Sequence, residues 1–237
     1  MTTSWGIDCC SAMSSLPNKG VPLTGALEPQ FCRAGFYPRG PRMPNRRIVV
    51  IGASAGGVES LVGLVGNLPG GLAAAVFVVL HMPTGVVSHL PTILSRAGPL
   101  PAVQIRNQTQ IRAGIIHVAE PDHHLVIEPG RAISLRGPRE NGHRPAIDPM
   151  FRSAALAYGP EVAAVVLSGV LDDGTAGLAV VRQHGGMTLV QDPGEALFPG
   201  MPAVAIESVE VDYVLPVREI AATLADIVGL GDVSFAE

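Results

Sequence analysis

Aromatic residues and charged residues are both scarce in this sequence. Only 4% of the residues are aromatic, whereas 47% are hydrophobic, so a core has to be built mainly from Ala, Val, Leu and Ile. Charged side chains make up 15%, against about 25% in an average soluble domain. This composition favours an enzyme with a buried sheet over a disordered or fibrous chain.

The three cysteines all lie near the N-terminus, at Cys9, Cys10 and Cys32. This distribution provides neither a disulfide framework nor a paired cysteine metal site. The N-terminus also lacks the charged start and apolar run of a signal peptide. These absences favour a reducing compartment, and we expect the protein in the cytoplasm.

Long apolar runs and an excess of basic charge are absent as well. The longest apolar stretch, residues 61–80, is broken by Asn67, Pro69, Gly70 and Gly71, whereas a membrane helix needs about 20 apolar residues. Residues 1–47 carry a net +4, so the remainder of the chain carries −8. Nucleic-acid binding needs a basic face. We therefore expect neither membrane insertion nor a nucleic-acid partner.

The chain divides into three parts. Residues 1–45 contain six prolines and show no helical or strand period, which predicts a disordered Pro-rich tail or linker. The sequence fits equally well with an upstream stretch that is foreign to the native protein. We expect one catalytic domain over residues 46–230 and a short C-terminal tail over residues 231–237.

Alternating strands and helices fill residues 46–230. Residues 47–51 predict a strand buried on both faces, residues 58–68 a helix, and residues 74–80 a second buried strand. Such a strand–helix–strand unit has parallel strands and a right-handed crossover. Further strands are predicted at 102–105, 114–119, 125–128, 132–135, 162–167 and 187–191, and further helices at 86–96, 149–158, 175–184 and 217–228. The fold class is therefore α/β, a doubly wound, mostly parallel sheet flanked by helices, with a small antiparallel hairpin turning at residues 128–131.

Three predicted strands are followed by residues whose side chains could take part in catalysis. In sheets of this kind, active sites lie at the carboxyl ends of the strands. The first strand leads into residues 52–57, Gly-Ala-Ser-Ala-Gly-Gly, which match the G-x-S-x-G nucleophile elbow around Ser54. The helix that follows offers unpaired N–H groups to a developing oxyanion. The second strand ends at His81, and either Asp172 or Asp173 follows a third. A serine, a histidine and a carboxylate at neighbouring strand ends suit acyl transfer.

Each of these residues also has an ordinary structural interpretation. A serine in this turn or an aspartate before a helix is often an N-cap, and a histidine at a strand end is often structural. A dinucleotide site at residues 52–57 is disfavoured because Ser54 replaces the second glycine of G-x-G-x-x-G and the second strand ends in His81, not in an acidic residue. His117, Asp122, His123 and His124 are close in sequence but lack a recognised metal spacing. Surface or loop histidines are the expected explanation, and no metal is predicted.

Several separated motifs between residues 47 and 228 resemble the catalytic domain of the chemotaxis protein-glutamate methylesterases, the CheB type. They are Ile51–Gly57, Leu80–Pro83, Pro145–Asp148 with Phe151–Ser153, Leu167–Gly169 with Asp172–Gly177, and Gln191–Pro193 with Phe198–Pro202. The resemblance implies a triad of Ser54, His81 and Asp173. The residues expected to line the site or to stabilise the oxyanion are Ala55, Gly56, Met82 and Val170.

This resemblance implies hydrolysis of methyl esters on glutamate side chains in the cytoplasmic helices of chemoreceptors, and in some members deamidation of receptor glutamines. It implies no cofactor. The family's usual N-terminal receiver domain has no counterpart in the roughly 45 preceding residues, so any regulator would act in trans and is unknown. The usual Gly-Met-Gly is here Gly169-Val170-Leu171, and Ala55 stands where Thr often follows the nucleophile. A receptor-binding module with little turnover and a nucleotide-binding oxidoreductase remain the alternative functions.

Overall fold

A seven-stranded parallel sheet forms the centre of the molecule in the computed structural model, which describes residues 48–229. The predicted tails at residues 1–45 and 231–237 lie outside this range. The strands of the sheet are β1 (Ile48–Ala53), β2 (Ala75–Leu80), β3 (Ala102–Gln104), β5 (Ile116–Val118), β8 (Val162–Val166), β9 (Met187–Gln191) and β10 (Tyr213–Leu215). Their order is β10-β9-β8-β1-β2-β5-β3, and every pair is parallel.

The middle strands β1, β2 and β8 are buried along their whole length. Their sequences, IVVIGA, AVFVVL and VAAVV, are continuous apolar runs, as expected for strands covered on both faces. The register brings Ala53 level with Leu80 and Gly52 level with Val166. The carboxyl ends of the three strands therefore meet at one edge.

Helices cover both faces of the sheet, which confirms the predicted doubly wound α/β class. The helices are α1 (Gly57–Gly66), α2 (Leu90–Ala97), α3 (Ile147–Tyr158), α4 (Thr175–Gln183), α5 (Gly200–Ser208) and α6 (Val217–Val228). Helices α1, α2 and α6 bury their apolar side chains in one core, and α3, α4 and α5 in the other. Within residues 48–229, no helix has the length and apolar character needed to cross a membrane.

A second, antiparallel sheet packs beside the core of α3. It consists of β4 (Gln108–Gln110), β6 (His124–Glu128) and β7 (Arg131–Leu135), in the order β4-β7-β6. Strands β6 and β7 form the predicted hairpin, with Glu128 opposite Arg131. The prediction of a hairpin alone was incomplete, since β4 adds a third strand through Gln108–Ile133 and its neighbouring pairs.

The predicted start of α2 at residue 86 was wrong, because the helix begins at Leu90. A start at 86 would put Pro91 in the helix interior, where proline removes a hydrogen bond and collides with the preceding turn. In the structure Pro91 lies in the first turn, where a missing N–H costs nothing. Residues 83–87 are consequently an exposed loop between β2 and α2.

Candidate active site

The candidate site lies where the chain leaves the sheet at the ends of β1, β2 and β8. From β1 the chain crosses to β2 on one side, while β8 flanks β1 on the other. Such a change of direction opens a crevice at the carboxyl ends of the strands. Ser54 directly follows β1, His81 directly follows β2, and Asp173 lies in the segment between β8 and α4. The topology thus brings the three sequence-predicted residues together.

The imidazole of His81 lies between the serine and the aspartate. Its Nδ1 is 3.0 Å from Ser54 Oγ, and its Nε2 is 2.7 Å from Asp173 Oδ2. The His81 backbone N–H donates to the carbonyl of Ala53 over 3.1 Å, and the side chain is 6% exposed. Compared with the serine-protease arrangement, in which Nε2 faces the serine, the two ring nitrogens exchange roles. An Nε2–H tautomer leaves Nδ1 free to accept the serine proton.

Both carboxylate oxygens of Asp173 accept hydrogen bonds that hold the side chain in place. Oδ2 accepts the His81 ring nitrogen and the backbone N–H of Ile147 at 2.7 Å each. Oδ1 accepts the Asn141 amide at 2.8 Å and the Asp148 backbone N–H at 3.2 Å. Burial raises the pKa of Asp173, but the hydrogen bonds from His81, Ile147 and Asn141 outweigh it and lower that pKa below its ordinary value. The carboxylate therefore stays ionised beside the imidazole.

A second buried carboxylate, Asp148, supports the first. Its Oδ1 accepts the backbone N–H groups of Gly174 at 3.1 Å and Gly177 at 2.6 Å, at the start of α4. Its Oδ2 accepts the same Asn141 amide nitrogen that reaches Asp173, over 2.8 Å. Burial raises the pKa of Asp148 above its ordinary value, although the Gly177 and Asn141 hydrogen bonds act the other way. The sequence did not identify Asp148 or Asn141 as site residues.

His143 is a further residue at the site that the sequence did not identify. Its ring stacks on the His81 ring with centroids 3.7 Å apart and planes 7° apart. Nearby, Arg144 donates to Asp122 over 2.6 Å and to the Gly137 carbonyl over 2.6 Å, which holds this loop against the segments that flank β6 and β7. Asn141 and His143 thus reach the site from a loop that precedes α3.

The turn around Ser54 is fixed by its backbone. The Ser54 N–H donates to the Ser168 carbonyl over 2.9 Å, and the Ser54 carbonyl accepts the Gly57 N–H over 2.9 Å. Gly56 is the N-cap of α1, and its φ of 67° lies in the left-handed region, which favours glycine. Within residues 48–229, the N–H groups of Ala55 and Gly56 have no hydrogen-bond acceptor. Two donors at a helix N-terminus are therefore available beside the serine.

The other two predicted lining residues, Val170 and Met82, differ in position. Gly169, which was not predicted to line the site, lies against the nucleophile, because a Cβ placed there would be 2.9 Å from Ser54 Cβ. Val170 follows it and is 43% exposed at the rim. Met82, next to His81, instead packs against the apolar core on the α1 side of the sheet.

The four residues of the considered metal cluster have separate roles. His117 is buried on β5 and stacks on Phe77 with centroids 4.8 Å apart. His124 is buried on β6, where Nε2 bonds the Pro138 carbonyl over 2.7 Å. Asp122 pairs with Arg144, and His123 bonds the Pro121 carbonyl. The expectation of surface or loop histidines was thus wrong for His117 and His124. In the described part of the chain, no group of three or more His, Cys, Asp or Glu residues is placed so that it could hold a metal ion.

The glycine turn does not suit a dinucleotide. Ser54 stands where the second glycine of the fingerprint lets the backbone approach the pyrophosphate, and its hydroxyl is bonded to His81 instead. Strand β2 is followed by His81, not by the acidic residue that binds the ribose. These features argue against the oxidoreductase alternative.

Comparison with known proteins shows the family to which the chain belongs. The family model described as CheB methylesterase matches residues 49–224. A protein-glutamate methylesterase/protein-glutamine glutaminase of Anaeromyxobacter dehalogenans is 36% identical over 83% of this chain and 59% of its own length. A relative from Leptospira interrogans, whose name carries the same two activities as putative, is 34% identical over 75% of this chain and 92% of its own length.

A solved structure agrees with the sequence relatives. The crystal structure of the Thermotoga maritima CheB methylesterase catalytic domain matches with a TM-score of 0.73 and 33% identity, covering 76% of this chain and 98% of that one. The chain spans 59% and 53% of the first two curated relatives, from Anaeromyxobacter dehalogenans and Symbiobacterium thermophilum. On the match over residues 49–224 and these relatives, the chain belongs to the CheB methylesterase family.

Proposed function

We propose that this protein hydrolyses methyl esters of glutamate side chains in proteins, with Ser54 as the nucleophile, His81 as the general base and Asp173 as its orienting carboxylate. The observation that carries the proposal is the unbroken hydrogen-bonded line from Ser54 Oγ through both nitrogens of His81 to Asp173. The names of the relatives support the substrate chemistry.

The reaction proceeds through an acyl-enzyme. Ser54 Oγ attacks the ester carbonyl while its proton passes to Nδ1 of His81. The tetrahedral intermediate carries a negative oxygen, which the N–H groups of Ala55 and Gly56 stabilise. When the intermediate collapses, His81 returns the proton to the departing methoxide, which leaves as methanol. Water, deprotonated by the same imidazole, then releases the glutamate carboxylate and the free serine.

Asp173 keeps His81 in the productive tautomer. Its lowered pKa means that the carboxylate remains negative while the imidazole gains and loses a proton. Because Asp173 is 2% exposed and accepts four donors, it holds the ring in place and stabilises the imidazolium.

Glutamine deamidation by the same site is a second proposed activity. The relatives carry protein-glutamine glutaminase in their names. An amide carbonyl would be attacked in the same way, and His81 would protonate the departing ammonia. As substrates we propose methylated glutamates, and glutamines, in the helices of chemoreceptors in the cytoplasm.

Methanol release from a methylated receptor fragment tests the proposal. Wild-type protein is expected to release methanol and to be labelled covalently by a serine-directed phosphonate. Ser54→Ala is expected to lose both while keeping its melting temperature. Retention of most methanol release by Ser54→Ala would show that a different residue is the nucleophile. Absence of turnover in the wild type, despite labelling of Ser54, would favour the receptor-binding module.

A further inference from the structure

Ser168, the second residue after β8, connects three segments around the nucleophile. It is fully buried, and its N–H donates to Gln191 Oε1 over 2.8 Å. Its carbonyl accepts the Ser54 N–H, and its hydroxyl donates to the Ala55 carbonyl over 2.9 Å. The hydroxyl oxygen also accepts the Phe198 N–H over 3.0 Å. The Phe198 carbonyl, at 3.4 Å, is a more distant acceptor for the hydroxyl proton than the Ala55 carbonyl. One side chain thus holds the peptide that follows the nucleophile.

We propose that Ser168 is a positioning residue that orients the Ala55–Gly56 peptide so that the Gly56 N–H faces the substrate oxyanion. In a trans peptide the carbonyl and the N–H point in opposite directions. The hydroxyl of Ser168 fixes the Ala55 carbonyl, so it also fixes the direction of the Gly56 N–H. This inference rests on the proposed function, which it refines by adding a determinant of transition-state stabilisation.

The order of the strands gives the direction of that N–H. Strand β8, which precedes Ser168, lies on one side of β1, and β2, which precedes His81, lies on the other. A carbonyl of Ala55 that points toward Ser168 therefore leaves the Gly56 N–H pointing away from Ser168. We place the substrate oxyanion on that side of the turn, beside Ser54 Oγ.

The preceding peptide is fixed independently. The Ser54 carbonyl accepts the Gly57 N–H over 2.9 Å, which orients the Ala55 N–H through the same peptide geometry. Removal of the Ser168 hydroxyl would leave the Ala55 carbonyl without its buried partner, so only the second peptide becomes free to rotate. Pre-oriented donors contribute more to the transition state than to the bound substrate. The loss should therefore fall on kcat and leave KM unchanged.

A set of four proteins tests this role with a peptide that carries a glutamate γ-methyl ester. Wild type, Ser54→Ala, Ser168→Ala and the control Thr188→Val are compared for kcat, KM, pH profile and melting temperature. Thr188 is fully buried on β9, and its hydroxyl exchanges hydrogen bonds with Asp212. It is level with Ala164 in β8, four residues before Ser168. Both variants thus lose a buried, bonded hydroxyl, but only one of these hydroxyls lies at the site.

The expected result is a kcat for Ser168→Ala lowered by about tenfold or more, since loss of a complete oxyanion donor costs about 10²–10³. Its KM and the shape of its pH profile should match wild type, because His81 and Asp173 are untouched. Thr188→Val should lose thermal stability and keep kcat. A kcat of Ser168→Ala within threefold of wild type would overturn the proposal.

Two further outcomes are distinguishable. If Ser168→Ala does not fold, the conservative Ser168→Cys, which keeps a weaker hydrogen-bond donor, should show a reduced kcat, and a wild-type kcat would overturn the role of Ser168. If wild type releases no more methanol than Ser54→Ala, the proposed function fails. In that case the role of Ser168 is tested by the rate at which the phosphonate labels Ser54. This rate should be lower in Ser168→Ala than in Thr188→Val. An unchanged rate would overturn the positioning role by itself.

Discussion

The rings of His143 and His81 lie face to face, with their centroids 3.7 Å apart and their planes inclined by 7°. Burial is the main cause that lowers the pKa of His143, and a positive charge on His81 lowers it further. A neutral His143 can therefore stack against His81 without opposing its protonation. The stack blocks one face of the imidazole, while Asp173 and Ser54 fix its two nitrogens.

Substitution of His143 tests this contact. His143→Ala removes the stacked ring and should lower kcat by about 2- to 10-fold, which corresponds to the 0.5–1.5 kcal/mol of an aromatic pair. His143→Phe keeps a ring without a titratable nitrogen and should retain most of the activity at neutral pH. Steady-state kinetics on both variants provides the measurement. Equal losses in the two variants would indicate that polar contacts of His143, not the stack, support His81.

The neighbouring carboxylates Asp172 and Asp173 should differ sharply in their effect on catalysis. Asp173 is buried and bonded to His81 Nε2, whereas Asp172 is exposed. Asp173→Asn should favour the wrong imidazole tautomer and reduce kcat by at least ~10². Asp172→Asn should stay within a few-fold of wild type. Methanol release from both variants decides the assignment, and a crippled Asp172→Asn would contradict it.

Strands β1, β2 and β8 could be predicted because they are buried on both faces and read as continuous apolar runs, such as AVFVVL in β2. Strands β4 and β10 were missed for the opposite reason, since each has three residues and none of them is fully buried. Helix α5 was missed because Gly200 and Pro202 lie at its start and its apolar residues are not confined to one face.

The residues of the site were likewise predicted only in part. Ser54, His81 and Asp173 follow strand ends, and the carboxyl ends of neighbouring parallel strands lie at one edge of a sheet, so the sequence was sufficient to predict that they meet. Asn141 and Asp148 could not be found that way, because they reach Asp173 across 32 and 25 positions from a loop and a helix start. Their role depends on long-range packing of α3 against α4. The Pro145–Asp148 motif was noted in the family resemblance, but it carried no signal for hydrogen bonding to Asp173.

Leu171 has a backbone conformation that costs stability. Its φ is 66° and its side chain is 65% exposed, so no buried contact compensates for the left-handed backbone, which costs about 1–2 kcal/mol. Leu171→Gly relieves that strain but adds about 0.5–1 kcal/mol of chain entropy. The free energy of unfolding should therefore rise by up to about 1.5 kcal/mol. Leu171→Ala keeps the strain and is the control. A similar gain in both variants would attribute the effect to loss of the exposed side chain.

His117 should make the fold sensitive to acid. It is 1% exposed, its Nδ1 has no hydrogen-bond partner within residues 48–229, and burial lowers its pKa. Above the unfolded pKa of about 6.5 the ring is neutral in both states. As the pH falls below 6.5 toward the lowered folded value, only the unfolded chain takes up the proton, so stability decreases by up to about 1.4 kcal/mol per pH unit. Urea unfolding of wild type and His117→Leu from pH 7.5 to 5 measures this. The variant should show a shallower decline, and parallel curves would mean that other groups cause the acid sensitivity.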